Sequence, residues 1–320
     1  MPAAPVAGTV SRAELAQALT MILFHDLVER VPVAQAYIAD VVARGERVVF
    51  DHGAIRTVLC RSGELPPGEA AIARVLGPLG YVVREVYPLP KLRMTGRAWC
   101  HVDAPEAVAQ FFVSELHPER FSQSFEATAT RVLSTSRDPL KAADLEDLTA
   151  LAADGVLAIE RAQGLLPALV SCFGRQHGLF ALSDYEALRV ESPEMAWIAT
   201  EGNAFNHATD RVADVEGVAA EQRRLGRPIK DAVEISRSGR VRQTAFKAAH
   251  VERVFLDGDR QVRRVVPGSF YEFISRDPLP DGPAPTPSID LAFDAGNATG
   301  IFAMTSGRTS MPNAVDVFTT

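Results

Sequence analysis

Apolar residues recur along this chain in two rhythms, one helical and one of strands, and the alternation between them marks out its parts. Leu15, Leu19, Ile22, Leu23 and Leu27 repeat at helical spacing. They follow Ser11-Arg12-Ala13-Glu14, a serine with a glutamate three residues later, so a capped helix is predicted there. Pro32 opens a second helix whose apolar face holds Ala36, Tyr37, Val41 and Val42 and which ends near Gly45. Residues 48–50 predict the lead-in to a strand, 66–79 a helix closed by Gly80, and 81–86 a strand broken by Pro88-Leu89-Pro90. Short strands are expected at 99–102 and 111–116, the second carrying Ser114 and Glu115, a carboxylate for which a buried, functional place and a surface-facing one are both open. The helical rhythm returns over 121–133, 139–152 and 155–166, with Asp138 as the expected cap before Pro139, and again at 185–188.

From Met195 the pattern shifts toward strands. The run 195–200 is apolar, 201–207 is a polar loop delivering His207, and 212–225 is helical. Segments 232–235, 241–247, 251–256, 262–266 and 269–275 are β-rich, with turns at Ser238-Gly239 and Asp257-Gly258-Asp259. Residues 277–287 are proline-rich and irregular. Gly296-Asn297-Ala298-Thr299-Gly300 is a polar loop that lacks the lysine and spacing of a phosphate-binding loop. No sequence repeat is evident. The pattern reads as one domain over 1–320, with N-terminal helices at 11–45 and a helical insertion at about 119–190 packed on a sheet.

Composition narrows the classes. With 320 residues, 47% hydrophobic and 23% charged, the chain can bury a large core. A net charge of -7 argues against a general nucleic-acid binder, which needs a basic footprint. Apolar runs are broken before the ~18 residues of a membrane span, and no basic segment leads into an apolar core as in a signal peptide. Cys60, Cys100 and Cys172 lie far apart, which points to a reducing, cytoplasmic setting without a disulfide framework.

Three polar residues stand in apolar surroundings: His52, His207, and Glu272 within Phe270-Tyr271-Glu272-Phe273-Ile274. A carboxylate buried there needs a cation or donors; an alternating strand can instead turn Glu272 outward. Two histidines and a carboxylate can hold a divalent metal on one face and leave positions open for a chelating substrate and O₂. Imidazole and carboxylate suit Fe, Zn, Mn, Co or Ni, so the donors do not select the metal. His52 and Arg56 share a face on either a helix or a strand, unless a bulge at Gly53 breaks the alternation.

Together, His52-Gly53-Ala54-Ile55-Arg56-Thr57, Asn206-His207 and Phe270-Tyr271-Glu272-Phe273 resemble the 2-oxoadipate dioxygenase/decarboxylase family, also called hydroxyglutarate synthase. Phe112-Val113-Ser114-Glu115-Leu116, Arg175-Gln176-His177, Gln243-Thr244-Ala245 and the loop from Gly296 to Phe302 add to the resemblance, which runs from about residue 12 to about 305. Each motif alone is weak; the combination is specific. The resemblance implies an α+β fold of the vicinal-oxygen-chelate type, a curled, incompletely closed β-sheet around a metal, wrapped by helices. It implies His52, His207 and Glu272 as ligands of Fe(II), and Arg56 as the residue that holds the substrate carboxylate. The implied reaction turns a 2-oxo acid and O₂ into a 2-hydroxy acid and CO₂, with 2-oxoadipate giving 2-hydroxyglutarate. His177, Gln243 and Thr244 are candidates to line the pocket, with core packing as the alternative.

The best-understood members of that family are longer, and their extra C-terminal portion shapes the pocket, so a different 2-oxo acid is an open alternative. Arg175, Lys247 and Arg276 are candidates for a distal carboxylate by motif proximity alone. Two other readings compete. One is a redox-neutral metal enzyme, such as a glyoxalase-like isomerase or a hydrolase. The other is a non-catalytic small-molecule binder on the same scaffold.

Overall fold

The computed structural model describes residues 7–279 and 288–293; the polar loop expected at 296–300 lies outside them. A short strand β1 (Thr9–Ser11) runs into α1 (Arg12–Arg30). There the Ser11 hydroxyl accepts the Glu14 amide at 3.2 Å and the Glu14 carboxylate accepts the Ser11 amide at 2.7 Å, the expected reciprocal cap. Next come α2 (Pro32–Ala43), β2 (Phe50–Val58), α3 (Ala70–Leu76), β3 (Tyr81–Leu89), β4 (Met94–His101) and β5 (Gln110–Leu116). A mainly helical stretch follows: α4 (Gln123–Leu133), α5 (Ala142–Asp154), the short β6 (Val156–Ala158), α6 (Ile159–Ser171), α7 (Leu182–Glu191) and α8 (Pro193–Glu201). The rest comprises β7 (His207–Arg211), α9 (Val215–Arg224), β8 (Glu234–Ile235), β9 (Val241–Ala245), β10 (His250–Asp257), β11 (Arg260–Pro267) and β12 (Phe270–Arg276).

Eight strands form one strongly curled, open half-barrel in the order β3-β4-β5-β2-β7-β12-β9-β8. At its centre β2 and β7 run antiparallel. Each has a parallel neighbour on its outer side, β5 for β2 and β12 for β7, followed by two antiparallel strands. The halves therefore share one connectivity: the first strand at the centre, the second at the edge, the third inside it, the fourth back beside the first. A duplication that the sequence does not reveal is plain in the topology. The second half differs by the inserted β10–β11 hairpin, whose Asp257-Gly258-Asp259 turn is the one expected, with Gly258 at φ 59°.

Strand alternation divides the two faces. Ile55, Phe111, Val113, Ala208, Tyr271 and Phe273 point to the convex side and pack beneath α1, α2, α3 and α6 in the larger core. Val58, Leu89, Met94 and Leu116 meet α4, α7, α8 and the hairpin in a second core that closes one end of the concave trough. Among the described residues no helix is long and apolar enough to cross a membrane.

Three local expectations are corrected. The run 195–200 is helical and lies in α8, where every residue from Glu194 to Glu201 is buried. A continuous apolar run fits a buried helix as well as a strand. The deciding local signal is Ser192, whose hydroxyl accepts the Met195 amide at 3.1 Å, with Pro193 in the first turn. Pro88 does not break β3, because β3 is an edge strand and a missing amide there costs no ladder bond. Asp138 does not cap a helix. It pairs with both terminal nitrogens of Arg74 at 2.6 and 2.7 Å, and α5 starts later, at Ala142.

Gly53 sits where β2 passes under Phe205. An added Cβ would lie 2.3 Å from the tip of that ring. Gly53→Ala is expected to cost roughly 1–3 kcal/mol, as overpacking does, and Phe205→Leu in the same chain should restore part of it. Urea unfolding of the two variants checks this; wild-type stability for Gly53→Ala would contradict the close packing.

Candidate metal centre

Alternation along β2 sends His52, Ala54 and Arg56 to the concave face. Across the central seam, Ala54 lies opposite His207 of β7 and His52 opposite Thr209. On the other side of β7, Thr209 is opposite Glu272 of β12 and His207 opposite Phe270. His52, Thr209 and Glu272 thus form a row across three strands, with His207 one row away. The ligand-capable atoms of His52, His207 and Glu272 all lie within 4.8 Å of one another, and all three side chains are buried. The same face carries Arg56 two residues beyond Ala54, 1% exposed, with its guanidinium 5.2 Å from the centre of the Trp197 ring. The β2–β7 register does shift, but at Asp51, between Phe50 and His52. The bulge is upstream of the stretch that matters, so His52 and Arg56 keep a common face.

Asp51 orients the first ligand candidate. Its Oδ1 lies 2.8 Å from His52 Nδ1, and a carboxylate oxygen accepts, so Nδ1 carries the proton. Nε2 is left unprotonated, its lone pair facing the Thr209 hydroxyl at 3.1 Å, with Glu272 Oε1 3.8 Å away. Burial keeps His52 neutral by lowering its pKa, with Asp51 opposing. His207 is driven well below its ordinary value by burial, and by the nearby His52 and Arg56. Its ring stacks on Phe270 at 4.7 Å. Burial pushes the Glu272 carboxyl up to about 8. Glu272 Oε1 accepts from Thr209 at 3.3 Å, while Oε2 has no hydrogen-bond partner among the described residues. Arg56 is pushed down to about 10 by burial, with Glu194 opposing.

These residues fit a divalent cation. Two neutral imidazoles offer lone pairs, and a desolvated carboxylate oxygen needs a positive partner. The duplicated topology adds a further feature. His52 stands opposite Gln110 of β5 as His207 stands opposite Phe270 of β12, so the position equivalent to Glu272 in the first half is Phe112. Three of four related positions bear donors and the fourth is aromatic, so among the described residues the duplicated strands put no ligand at the fourth.

The other candidates divide. Gln243 pairs with Ile274 and shares the face of Glu272; its amide nitrogen lies 3.4 Å from Glu234. Thr244 pairs with Phe273 on the opposite face, and its hydroxyl donates to the Ala232 carbonyl at 3.2 Å, so the structure does not bring it to the cluster. His177 lies outside the cluster as well. Its Nε2 donates to the Ala199 carbonyl at 2.9 Å, burial lowers its pKa to about 4, and it lines a cavity of about 30 Å³ with Thr57, Ser62 and Asn203. Ser114 stands beside Arg56 in the β2–β5 register. Glu115 is buried, not surface-facing: it accepts the Glu69 amide at 2.8 Å and pairs with Arg97 at 3.3 Å. Lys247 is exposed and Arg175 neighbours Glu201 and Arg253. Arg276 is fully buried, but Asp51 and two backbone carbonyls take its donors. Thr209 went unnoticed in the sequence, although its spacing of two from His207 places it on the same face of any strand.

The profile of the 2-oxoadipate dioxygenase/decarboxylase family matches residues 14–284. A protein of Ralstonia eutropha JMP134, described as of the glyoxalase superfamily, is 55% identical, with a TM-score of 0.87 over 92% of this chain and 90% of that one. Two likenesses at 20% identity establish fold alone, and both partners were solved with 2-oxoadipate. The hydroxyglutarate synthase of Oryza sativa has a TM-score of 0.72 over 96% of this chain and 98% of that one. That of Pseudomonas putida has a TM-score of 0.68 over 94% and 74%. No curated protein matches the chain.

Glu272 predicts a pH signature for the metal-free protein. Its folded carboxyl keeps a proton up to about 8, against an ordinary value of 4.5. Between those values the unfolded chain releases a proton that the folded chain retains, so stability falls as pH rises through the window. In chelator-treated protein, Glu272→Gln should therefore gain on wild type as pH goes from about 5 to about 8. Urea unfolding across that range tests it; a constant gap would mean that Glu272 titrates normally.

Proposed function

Because this chain belongs to the 2-oxoadipate dioxygenase/decarboxylase family, a family of enzymes, we propose that it is a non-haem Fe(II)-dependent dioxygenase/decarboxylase. Its substrate is a 2-oxo acid, 2-oxoadipate or a close relative, and its product is the 2-hydroxy acid one carbon shorter. For 2-oxoadipate, the acid and O₂ give 2-hydroxyglutarate and CO₂, with all atoms of O₂ retained in the products. The observation that carries this reading is the meeting of His52, His207 and Glu272 on one buried face that also bears Arg56.

His52, His207 and Glu272 would hold ferrous iron, which would supply Lewis acidity toward the 2-oxo acid and electrons for the reaction with O₂. His52 presents Nε2 because Asp51 holds the proton at Nδ1. Arg56 binds the substrate carboxylate by charge-assisted hydrogen bonds, which gain strength in a site this dry. Ala54 and Phe112 keep the neighbouring wall apolar and hold water off the reacting carbon. Length does not argue against 2-oxoadipate, since 96% of this chain covers 98% of the rice synthase, which was solved with that acid. Cys60, Cys100 and Cys172 are free, which fits a reducing, cytoplasmic setting for a ferrous enzyme.

Anaerobic reconstitution with Fe(II), then O₂ uptake across 2-oxo acids of graded chain length, tests the proposal. The expected result is uptake with 2-oxoadipate and release of one CO₂ per O₂. His52→Ala and Glu272→Ala should lose tight iron binding while the fold survives. Arg56→Ala should keep the iron and lose about 10²-fold in kcat/KM, the scale of removing one partner from a buried charged contact. Turnover without O₂ uptake would favour a redox-neutral isomerase or hydrolase. Binding without turnover at any metal loading would favour a binding protein.

A further inference from the structure

Arg276 joins two parts of the molecule that have no covalent reason to move together. It stands on β12 four residues beyond Glu272, on the same concave face. On one side its Nε and Nη2 donate to Asp51 at 3.0 and 2.9 Å. On the other, its Nη1 donates to the carbonyls of Asp290 at 2.7 Å and Ala292 at 2.9 Å. Asp51 can serve both Arg276 and His52 because it is the bulged residue of β2; in regular alternation, residues 51 and 52 would face opposite sides of the sheet.

The segment so gripped, 288–293, is a strap across the rim of the trough. The amide of Ile289 donates to Glu106 at 3.3 Å, that of Asp290 to the Asp277 carbonyl at 3.2 Å, and that of Phe293 to the Tyr87 hydroxyl at 3.0 Å. The Phe293 ring then packs edge-on against His52, with centroids 4.8 Å apart, and against Phe112 at 4.9 Å. The strap therefore touches His52 twice, directly through Phe293 and indirectly through Arg276 and Asp51.

We propose that Asp51 and Arg276 are positioning residues that couple the seating of strap 288–293 to metal binding at His52. The proposal rests on the metal centre proposed above. With the strap seated, Arg276 has acceptors on both sides, Asp51 is held in place, and His52 keeps the tautomer that points Nε2 at the ion. With the strap lifted, a buried guanidinium loses two acceptors and must reorient, and Asp51 is no longer fixed. Linkage makes the effect reciprocal: whatever the strap adds to metal affinity, the metal adds to strap stability.

The test uses the full chain, stripped with chelator and titrated with Co(II), while hydrogen exchange is followed at the amides of 288–293. In wild type, Co(II) should slow exchange in that segment at least about tenfold, a readout that needs no variant and no turnover. Arg276→Lys keeps a charge but cannot span Asp51 and two carbonyls. It and Asp51→Asn should bind Co(II) about 10–100-fold more weakly, the scale of losing a partner of a ligating histidine. In both, the metal-linked protection should vanish while the far-ultraviolet spectrum stays that of wild type. If wild type binds Co(II) with no slowing in the segment, or Arg276→Lys binds as tightly as wild type, the coupling is overturned and the metal centre stands. If wild type binds no Co(II), both are overturned.

Discussion

The pairing of β2 with β7 is the constraint on which the rest of the molecule depends. His52 and Arg56 come from one half of the sheet, His207 and Glu272 from the other, and neither half holds a complete set. The seam sets the register that puts Ala54 opposite His207 and His52 opposite Thr209. A slip of one residue would turn His52 and Arg56 into the convex core and bring Gly53 and Ile55 to the site. Slippage is resisted because the convex face of both strands is buried beneath the helices, with Ile55 and Ala208 fully enclosed.

Assembling this face opposes folding. Asp51, His52, Arg56, His207, Glu272 and Arg276 are each at most 8% exposed, and taking such groups out of water is costly unless they are paired or neutral. The structure uses both routes. Asp51 and Arg276 satisfy each other, while the two histidines lose their charge. Glu272 stays protonated up to about 8 without a metal ion, because burial outweighs the pull of Lys230. The opposing stability comes from the convex side, where Tyr37, Phe246, Tyr271 and Phe273 interlock at ring separations from 4.8 to 6.4 Å. A ligand that binds only the folded cluster would add stability by mass action.

Duplication supplied the scaffold and divergence supplied the asymmetry. The two central strands place histidines at equivalent points, His52 and His207, yet the fourth strands place Phe112 in one half and Glu272 in the other. The fourth position, equivalent to Glu272, holds an aromatic ring and no donor. The second half also carries the β10–β11 hairpin, which joins α4, α7 and α8 in closing one end of the trough, and leads into the strap.

What the chain declared by itself was short-range. Ser11 with Glu14, Pro32, and the Asp257-Gly258-Asp259 turn work through bonds to residues a few positions away, so their elements could be read directly. Alternation likewise put His52 and Arg56 on one face, and an aromatic run around Glu272 marked a carboxylate in unusual surroundings. The family motifs joined these points without showing how they meet. Tertiary structure decided the remainder. Asp138 left its expected cap for Arg74, 64 residues away. Thr244 turned away because β9 pairs it with Phe273, and Arg276 met Asp51 across 225 residues of chain. The physical reason is one of range. Caps and turns are settled by the energy of a few neighbouring dihedrals and hydrogen bonds. Register, bulge position and burial are settled only when distant strands share a sheet, and no local stretch carries that information.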